Sequence, residues 1–574
     1  MKNGVAIKYG DIALGAKENF APSMSNIEPF SDVSILKENN ISFANYGNPI
    51  EKYSVLLDGS SIPFPAETQG KRFGVWSSIL SGDDGYFERP LILSLKATEL
   101  FTSSGITVTF DDVQGIFPTE AIVSWYRGDE KIAEQEFQPN SGKYFFNKKV
   151  EYYDGVEFQF LRLNMPQNRL KIHSIDYGIG VIFYGDELKY AKISQSIDPI
   201  STQIEINTCD FEIYSKRNVE YSFQTQQPIS IYFDGKLKST CFVNNAKRNS
   251  LKGWRVQSED YIGLMDSIPY NGGMYFDKNA DEIISDIFFV AKVPYELSEN
   301  FVGIKVSGHI PYTTCRNALM QVAFAIGAVV DTSESELVKI YSLPNEVSQE
   351  IPSTRVMNGQ TTVEKNVVTA VEMTAHSYKK TDEQSAVYDA NESGIGENIF
   401  VLFGEPLHSL SISNGEIISS GANHAIINAN VGCSLVGKKY QHNTTTKTKR
   451  NPLVSPNDIE NVVSVQGATL VSYSNVDNLL HSCYNYIVNS KDLRMKIIDG
   501  KSVVEGSTIK YGQRKYGQFK YGEKNKDFVI YDKPTKVGDV VIVPFEFSNK
   551  KEARIIKQRF SLVGGIIIKD SELR

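Results

Sequence analysis

The sequence is poor in the residues that build catalytic and metal centres. Only five of its 574 residues are cysteine: Cys209, Cys241, Cys315, Cys433 and Cys483. They are scattered, odd in number and never spaced as C-x-x-C, which supplies neither a disulfide framework nor a zinc site and fits folding in a reducing cytoplasm. Histidine is rare too, with seven: His173, His309, His376, His408, His424, His442 and His481. None stands at a metal-ligand spacing such as H-E-x-x-H. No phosphate loop of the form G-x-x-x-x-G-K-[ST] occurs, and no G-x-S-x-G elbow. Gly394-Ile-Gly396 lacks the third glycine and the strand-turn-helix setting of a dinucleotide site. Carboxylates are plentiful but diffuse, so a glycosidase pair, whose members lie far apart in sequence, stays open. These absences point away from an enzyme and from a metal or cofactor site.

Long apolar runs are missing as well. The longest, near AFAIGAVV, is too short to span a bilayer, and the first twenty residues carry no apolar signal core. The expectation is a soluble protein with no stable membrane association, leaving its cell by lysis or assembly if it leaves. The formal net charge of −8 is mildly acidic and argues against a nucleic-acid binder, which is usually basic.

What is abundant is aromatic residues, 30 Tyr and 31 Phe, which favour β structure. The chain is long enough for three to five domains of about 100–200 residues. Residues 1–34 are rich in Asn, Ser and Gly and read as an N-terminal arm; they include Lys8-Tyr9-Gly10. Residues 35–180 read as a β-sandwich: short alternating runs such as GITVTFDD recur between turn dipeptides Asp58-Gly59, Asp84-Gly85 and Asp154-Gly155. Their order and texture (FGVWSS, GYFERPLILSL, AIVSWYRGDE, VEFQFLRL) resemble the discoidin-like, galactose-binding-like sandwich, which implies sugar or lipid binding by loops at one end. Trp76, Trp125 and Tyr126 are the candidate carbohydrate contacts, with core packing as the competing role. The loop Ser81-Gly-Asp-Asp-Gly85 offers two carboxylates, short of what calcium wants.

Residues 181–260 read as a first small β-barrel, with a hairpin from Ile229, Ile231 and Phe233 through Asp234-Gly235 to Leu237, Cys241 and Val243, and with Trp254-Arg255-Val256 closing it. Residues 261–350 hold the clearest helices. Ala280, Ile283, Ile284, Ile287, Phe288 and Ala291 share one face, with Asn279 and Glu282 placed as a capping box. A second helix starts at Thr313, carries Cys315, Ala318, Leu319, Val322 and Ile326, and stops at Gly327; a strand pair, AVVD and LVKIY, follows. Residues 351–470 read as a second β-barrel with polar loops at KKTDEQSAVYDANESGIGEN and KYQHNTTTKTKRNP. The C-terminal part, 471–574, has a helix beginning at Ser474 with Cys483 on its apolar face, then Lys510-Tyr511-Gly512, Lys515-Tyr516-Gly517 and Lys520-Tyr521-Gly522, then a closing β segment through Gly564-Gly565. The period of five puts successive Tyr on alternate faces of a strand, so the repeat reads as an exposed basic loop. Lys510, Tyr511, Lys515, Tyr516, Lys520 and Tyr521 are its candidate contacts to a partner or an anionic cell-wall polymer. The fold class is therefore mainly β (α+β overall): a sandwich, then two small barrels bracketing an α/β insert.

The run WRVQSEDYIGLMD, then YNGGMYF, then SGHIPYTTCRNALMQVAFAIGAVV, with KVGDVVIV and KQRFSLVGGIIIKD near the end, resembles the baseplate hub of contractile phage tails. Similar proteins occur in Gram-positive prophages and R-type bacteriocins. The resemblance covers roughly 181–574; the sandwich departs from the simplest hubs. It implies a homotrimer in which each subunit gives two similar small barrels to a pseudo-sixfold ring, joining a hexameric tail tube to the spike. Wedge and tape-measure proteins would be further partners, there would be no specific nucleic acid, and the chain would be made in a bacterial cytoplasm and assembled into the tail tip. A closed ring needs head-to-tail interfaces, which usually bury roughly 1,000 Å² or more. Two other classes stay open: a receptor- or carbohydrate-binding tail protein acting through the sandwich, and a tail-associated cell-wall hydrolase.

Overall fold

The computed structural model describes residues 5–29, 31–37, 74–111, 115–217, 219–233, 235–356, 361–363, 366–390, 394–455, 459–465, 467–488, 492–498, 503–504, 529–530, 534–545, 549–563 and 566–574. It is mainly β, with several sheets and few helices. Two of those sheets form the N-terminal body. One has four strands, Val75–Leu80, Arg169–Asp176, Ile106–Phe110 and Lys143–Phe146; the other has five, Ala21–Met24, Tyr86–Ser103, Val150–Leu163, Pro118–Arg127 and Glu130–Phe137. Strict alternation sets their faces: Leu91, Leu93 and Leu95 point inward opposite Phe160, Phe158 and Val156. One continuous apolar core lies between the sheets, with Trp125, Phe110, Phe146, Phe158 and Phe160 fully enclosed. Each such ring contributes about 1.5–3 kcal/mol by leaving water.

Two stretches of residues 1–34, expected as an irregular arm, are strand. Val5–Ile12 is a strand between Gly178–Tyr184 and Pro228–Phe233, and Ala21–Met24 joins the sandwich. The reason is tertiary. Val5, Ile7 and Tyr9 are buried, and Phe20 stacks on Tyr177 at 4.4 Å, so a segment of weak local propensity is held by what it covers.

The two barrels also take a different form: among the described residues no barrel closes. A 13-stranded sheet runs in the order Gly178–Tyr184, Val5–Ile12, Pro228–Phe233, Lys236–Arg248, Gly253–Glu259, Thr208–Tyr214, Leu188–Ser196, Lys550–Val563, Ile566–Leu573, Asp492–Ile498 and Thr361–Val363. Val540–Pro544 attaches to Lys550–Val563 and carries Val347–Glu350. Trp254-Arg255-Val256 lies inside this path and closes nothing. Leu188–Ser196, which would have to pair with Gly178–Tyr184, is occupied by Lys550–Val563 instead. Two apolar cores sit on this one path. The first holds Ile7, Tyr9, Phe183, Phe211, Ile231, Val256 and Phe560; the second holds Ile351, Leu493, Ile497, Val541, Val543, Ile555 and Leu573. Among the described residues the second β unit thus draws on Val347–Glu350, Thr361–Val363, Asp492–Ile498, Val540–Pro544, Lys550–Val563 and Ile566–Leu573, and not on the long strands between 370 and 465.

The insert follows Gly253–Glu259 directly. Asp260 caps the short helix Tyr261–Asp266 by accepting from the backbone N–H of Ile262 and Gly263. Helices Ala280–Ala291 and Cys315–Ile326 bury the faces expected for them, against each other and against a three-stranded sheet of Tyr295–Leu297, Val338–Tyr341 and Val329–Asp331. Two details differ. Asn279 does not cap: its amide donates to Glu282 at 2.7 Å, and the Ala280 N–H goes to Ile304 O. The second helix begins one residue later than expected, capped by Thr314 through Asn317 N–H. Gly327 ends it at φ 71°, a left-handed conformation that costs a residue with a Cβ about 1–2 kcal/mol. The helix Val476–Val488 lays Val476, Leu479, Leu480 and Cys483 on Val371, Met373 and Ala375.

Five strands between Ala370 and Val465 form a separate open sheet. Ala370–Ala390 pairs with His424–Arg450 along nearly its whole length; Gly396–Leu402, Leu407–Ser420 and Val462–Val465 complete it. Most of the segment KKTDEQSAVYDANESGIGEN and all of KYQHNTTTKTKR, expected as loops, are strand. Their polar residues are compatible with strand because both faces meet water there, and β-branched Thr suits the pleat.

Candidate functional site

Trp125 is fully enclosed in the sandwich core, and Trp76 is 2% exposed, its ring covered by the Lys171 ammonium 4.3 Å from the centroid. Neither offers a free face for a sugar, and their burial matches the core-packing role. Tyr126 is half-buried. The Ser81–Gly85 loop is held by its own hydrogen bonds, Gly85 N–H to Gly82 O and Tyr86 N–H to Asp84, and by Gln167 on Asp83. Lys510, Tyr511, Lys515, Tyr516, Lys520 and Tyr521 lie outside the described residues, as do Asp58-Gly59, Asp234 and Gly564-Gly565. The earlier copy of the triplet, Lys8-Tyr9-Gly10, is not exposed at its centre. Tyr9 stacks on Phe223 at 4.4 Å, and its hydroxyl accepts from Phe223 N–H at 2.9 Å beside Asp11 and Gln227. Burial pushes that phenol well above its usual range.

All five cysteines are buried and free. Burial pushes the thiols of Cys241 and Cys483 up to about 12 and Cys315 to about 11, so they stay protonated and unreactive.

Two buried polar ties set how the insert sits. At its entry, Asp260 accepts from Thr332 Oγ1 at 2.6 Å and Asn207 N–H at 3.1 Å, and Asn207 donates to Thr332 at 2.8 Å. Full burial still raises this carboxyl to about 6, because desolvation outweighs those donors. At its far side, Asn423 of the long-strand sheet is 4% exposed. Its amide donates to Asn271 O and Ile310 O, both at 2.8 Å, and its oxygen lies 2.6 Å from His309 Nε2. Gly272 has φ 64°, and a Cβ there would run into Ile310 O and the Asn423 amide, so this turn requires glycine.

Beside Asn423 the fold gathers histidines that sequence spacing kept apart. His376 Nδ1 lies 2.9 Å from His442 Nε2, Tyr378 stacks on His442 at 4.5 Å, and His309 meets Tyr378 edge-on. The strand register brings Tyr378 opposite His442 and leaves His376 on the diagonal. Among the described residues no group of three or more potential ligands could hold a metal ion. Burial lowers His309, His376 and His424, with His442 adding to the first two.

The sequence reading missed one concavity. A cleft of about 570 Å³ opens between the sandwich and the 13-stranded sheet. Ser104, Asn147, Lys148 and Lys149 form one wall; Ser215, Arg217, Val219, Glu220, Tyr221 and the Arg248–Trp254 turn form the other. Clefts at domain junctions are where ligands are commonly held. Its basic residues come from three separate segments, Lys148-Lys149, Arg217 and Arg248 to Lys252, none of which is a long charge run in sequence.

No family model and no curated protein matches this sequence. Solved structures similar in shape include a tail protein from Neisseria meningitidis MC58, with 11% identity over 68% of this chain and 93% of that one and a TM-score of 0.38. A 43 kDa tail protein of prophage MuSo2 from Shewanella oneidensis shares 10% identity over 69% and 95%, with a TM-score of 0.42. Prophage tail protein gp18 from Listeria monocytogenes EGD-e shares 9% over 69% and 91%, with a TM-score of 0.38. Likeness at this level carries no argument about what this chain does. Among the described residues no helix is long and apolar enough to cross a membrane.

Proposed function

We propose that this chain is a structural, non-enzymatic protein of a phage tail or phage-tail-like particle, and specifically a tail-tip hub. The observation that carries this reading is the pair of separate apolar cores on one strand path, joined where Leu188–Ser196 pairs with Lys550–Val563. A subunit with two β units side by side can give three copies the six positions of a pseudo-sixfold ring, provided the units meet head to tail. The resemblance of the insert's sequence to baseplate hubs points the same way. In this reading the second unit is built on Val347–Glu350, Asp492–Ile498, Val540–Pro544, Lys550–Val563 and Ile566–Leu573, the insert fixes the two units relative to each other, and the long-strand sheet projects from them. The chain would be a homotrimer that meets tail tube, spike and wedge proteins, with tape-measure proteins as a further candidate, made in a bacterial cytoplasm and assembled into the tail tip, with no specific nucleic acid and no stable membrane association.

Mass measurement of the purified chain and imaging of the particle test this. A threefold ring beneath the tail tube is the expected result. A monomer at all concentrations that never enters particles would sink the reading, and a lytic zone on peptidoglycan zymography would overturn the non-enzymatic part.

A further inference from the structure

The cleft between the sandwich and the 13-stranded sheet departs from the rest of the molecule in charge. The chain as a whole carries −8. The cleft is lined by five cationic side chains, Lys148, Lys149, Arg217, Arg248 and Lys252, against one carboxylate, Glu220. Two of the five are balanced from outside it: Lys149 pairs with Glu151 at 3.0 Å and Arg217 with Glu187 at 3.1 Å. Three are not. Among the described residues Lys148, Arg248 and Lys252 have no carboxylate partner in ion-pair range.

Arg248 is also held in place. Its guanidinium donates to Ser250 O at 3.2 Å and Leu251 O at 2.6 Å and lies 5.6 Å from the centre of the Trp254 ring. A guanidinium fixed by neutral carbonyls keeps its full charge and loses little freedom when it meets an anion. Like charges gathered in a concave wall focus a positive field outward, and an entering anion relieves their mutual repulsion.

We infer that this cleft is a binding site for phosphate esters, taken either as a small polyol or sugar phosphate or as a repeating phosphodiester chain. Its lining favours phosphate over an acidic peptide. The Trp254 ring is packed against Arg248 and tilted onto Phe223 at 5.1 Å, which leaves no deep apolar pocket to anchor a peptide side chain. What remains is the ammonium groups of Lys148 and Lys252 with the Arg248 guanidinium, a set suited to phosphate oxygens. Every residue lining the site belongs to a single chain.

Calorimetry on the full chain with glycerol 3-phosphate, a poly(glycerol phosphate) chain, uncharged glycerol and poly-glutamate tests it. Saturable binding of a phosphate probe, weakening between 50 and 200 mM salt by roughly tenfold or more, is expected. Lys148→Glu with Lys252→Glu should lower affinity at least tenfold without moving the melting temperature, while Lys305→Glu, on the insert, should leave it unchanged. Should the double reversal fail to fold, Lys148→Gln with Lys252→Gln serves, with a smaller loss expected. Polymer bound tenfold tighter than monomer assigns the chain ligand; equal affinities assign the small ester. No saturable binding of either phosphate probe at millimolar concentration, an equal loss with Lys305→Glu, or poly-glutamate bound as tightly as the phosphate polymer would overturn the proposal.

Discussion

The insert and the long-strand sheet lie against each other and are stabilised in opposite ways. In the insert each helix buries a full face: Ala280, Ile283, Ile284, Ile287, Phe288 and Ala291 on one, Cys315, Ala318, Leu319, Val322 and Ala323 on the other. Between His424 and Arg450, residues 441–446 are exposed on both faces, and only the inner stretch around Ala425, Ile427 and Leu435 is core. The first region is held by the removal of apolar surface from water. The outer part of the second is held by its backbone ladder and cross-strand side-chain pairs such as Thr374 with Thr446, whose hydroxyls lie 3.1 Å apart. A helix cannot persist without a buried face, whereas two long strands can satisfy each other's backbone in water.

Ile287→Asp should break this contrast most severely. A carboxylate at a fully buried site without a partner is expected to cost more than about 4 kcal/mol, enough to unfold the insert in a denaturant titration. Soluble Ile287→Asp protein with a native melting profile would show that the helix is not core. Asn423→Ala comes next. It strands two carbonyls and His309 at the junction, with an expected loss of about 2 kcal/mol, read as faster hydrogen exchange in 271–273 and 308–310. A loss as large as that of Ile287→Asp would mean that the two regions unfold as one.

Acidification should separate the regions by sign. The histidines of the long-strand sheet, His376 and His424, titrate below their unfolded value of about 6.5. The unfolded chain therefore takes up protons first, and the long-strand side loses stability as pH falls through 6.5 toward the folded values. Asp260 is raised to about 6, so the folded form takes up the proton first. Its contribution grows as pH falls through 6 and is lost as pH rises through it. Hydrogen exchange at pH 7.5 and 5.5, corrected for intrinsic rates, should loosen 424–430 relative to 261–266; the reverse order would refute both assignments. The smallest effect belongs to Thr446→Ala. It should cost about 0.5 kcal/mol in melting experiments, because its hydroxyl pair is solvent-exposed.

The two regions were unequally legible. Helical periodicity in Ala280–Ala291 and Cys315–Ile326 is a local signal, since residues three and four apart share a face whatever lies beside it. The same holds for the alternation in Ile106–Phe110 and the apolar side of Val476–Val488. The strand at 439–450 has no apolar alternation to read, and its pairing with 370–380 depends on a partner about 70 residues away. Among the candidate site residues, the burial of Trp76 and Trp125, the meeting of His376 with His442, and the cleft of Lys148, Arg248 and Lys252 are all made by contacts between distant segments.

By itself the amino-acid order determined the β-rich class, the insert's helices with their buried faces, and the lack of catalytic motifs, because each depends on composition or on neighbours within a few residues. Only the tertiary structure decided that Val5–Ile12 is a core strand, that Val347–Glu350 joins a β unit with Asp492–Ile498, Val540–Pro544 and Lys550–Val563, and that five cations face one cleft. Strand pairing and charge convergence are properties of segments far apart in sequence. They are chosen by which surfaces bury one another, and no local pattern records that choice.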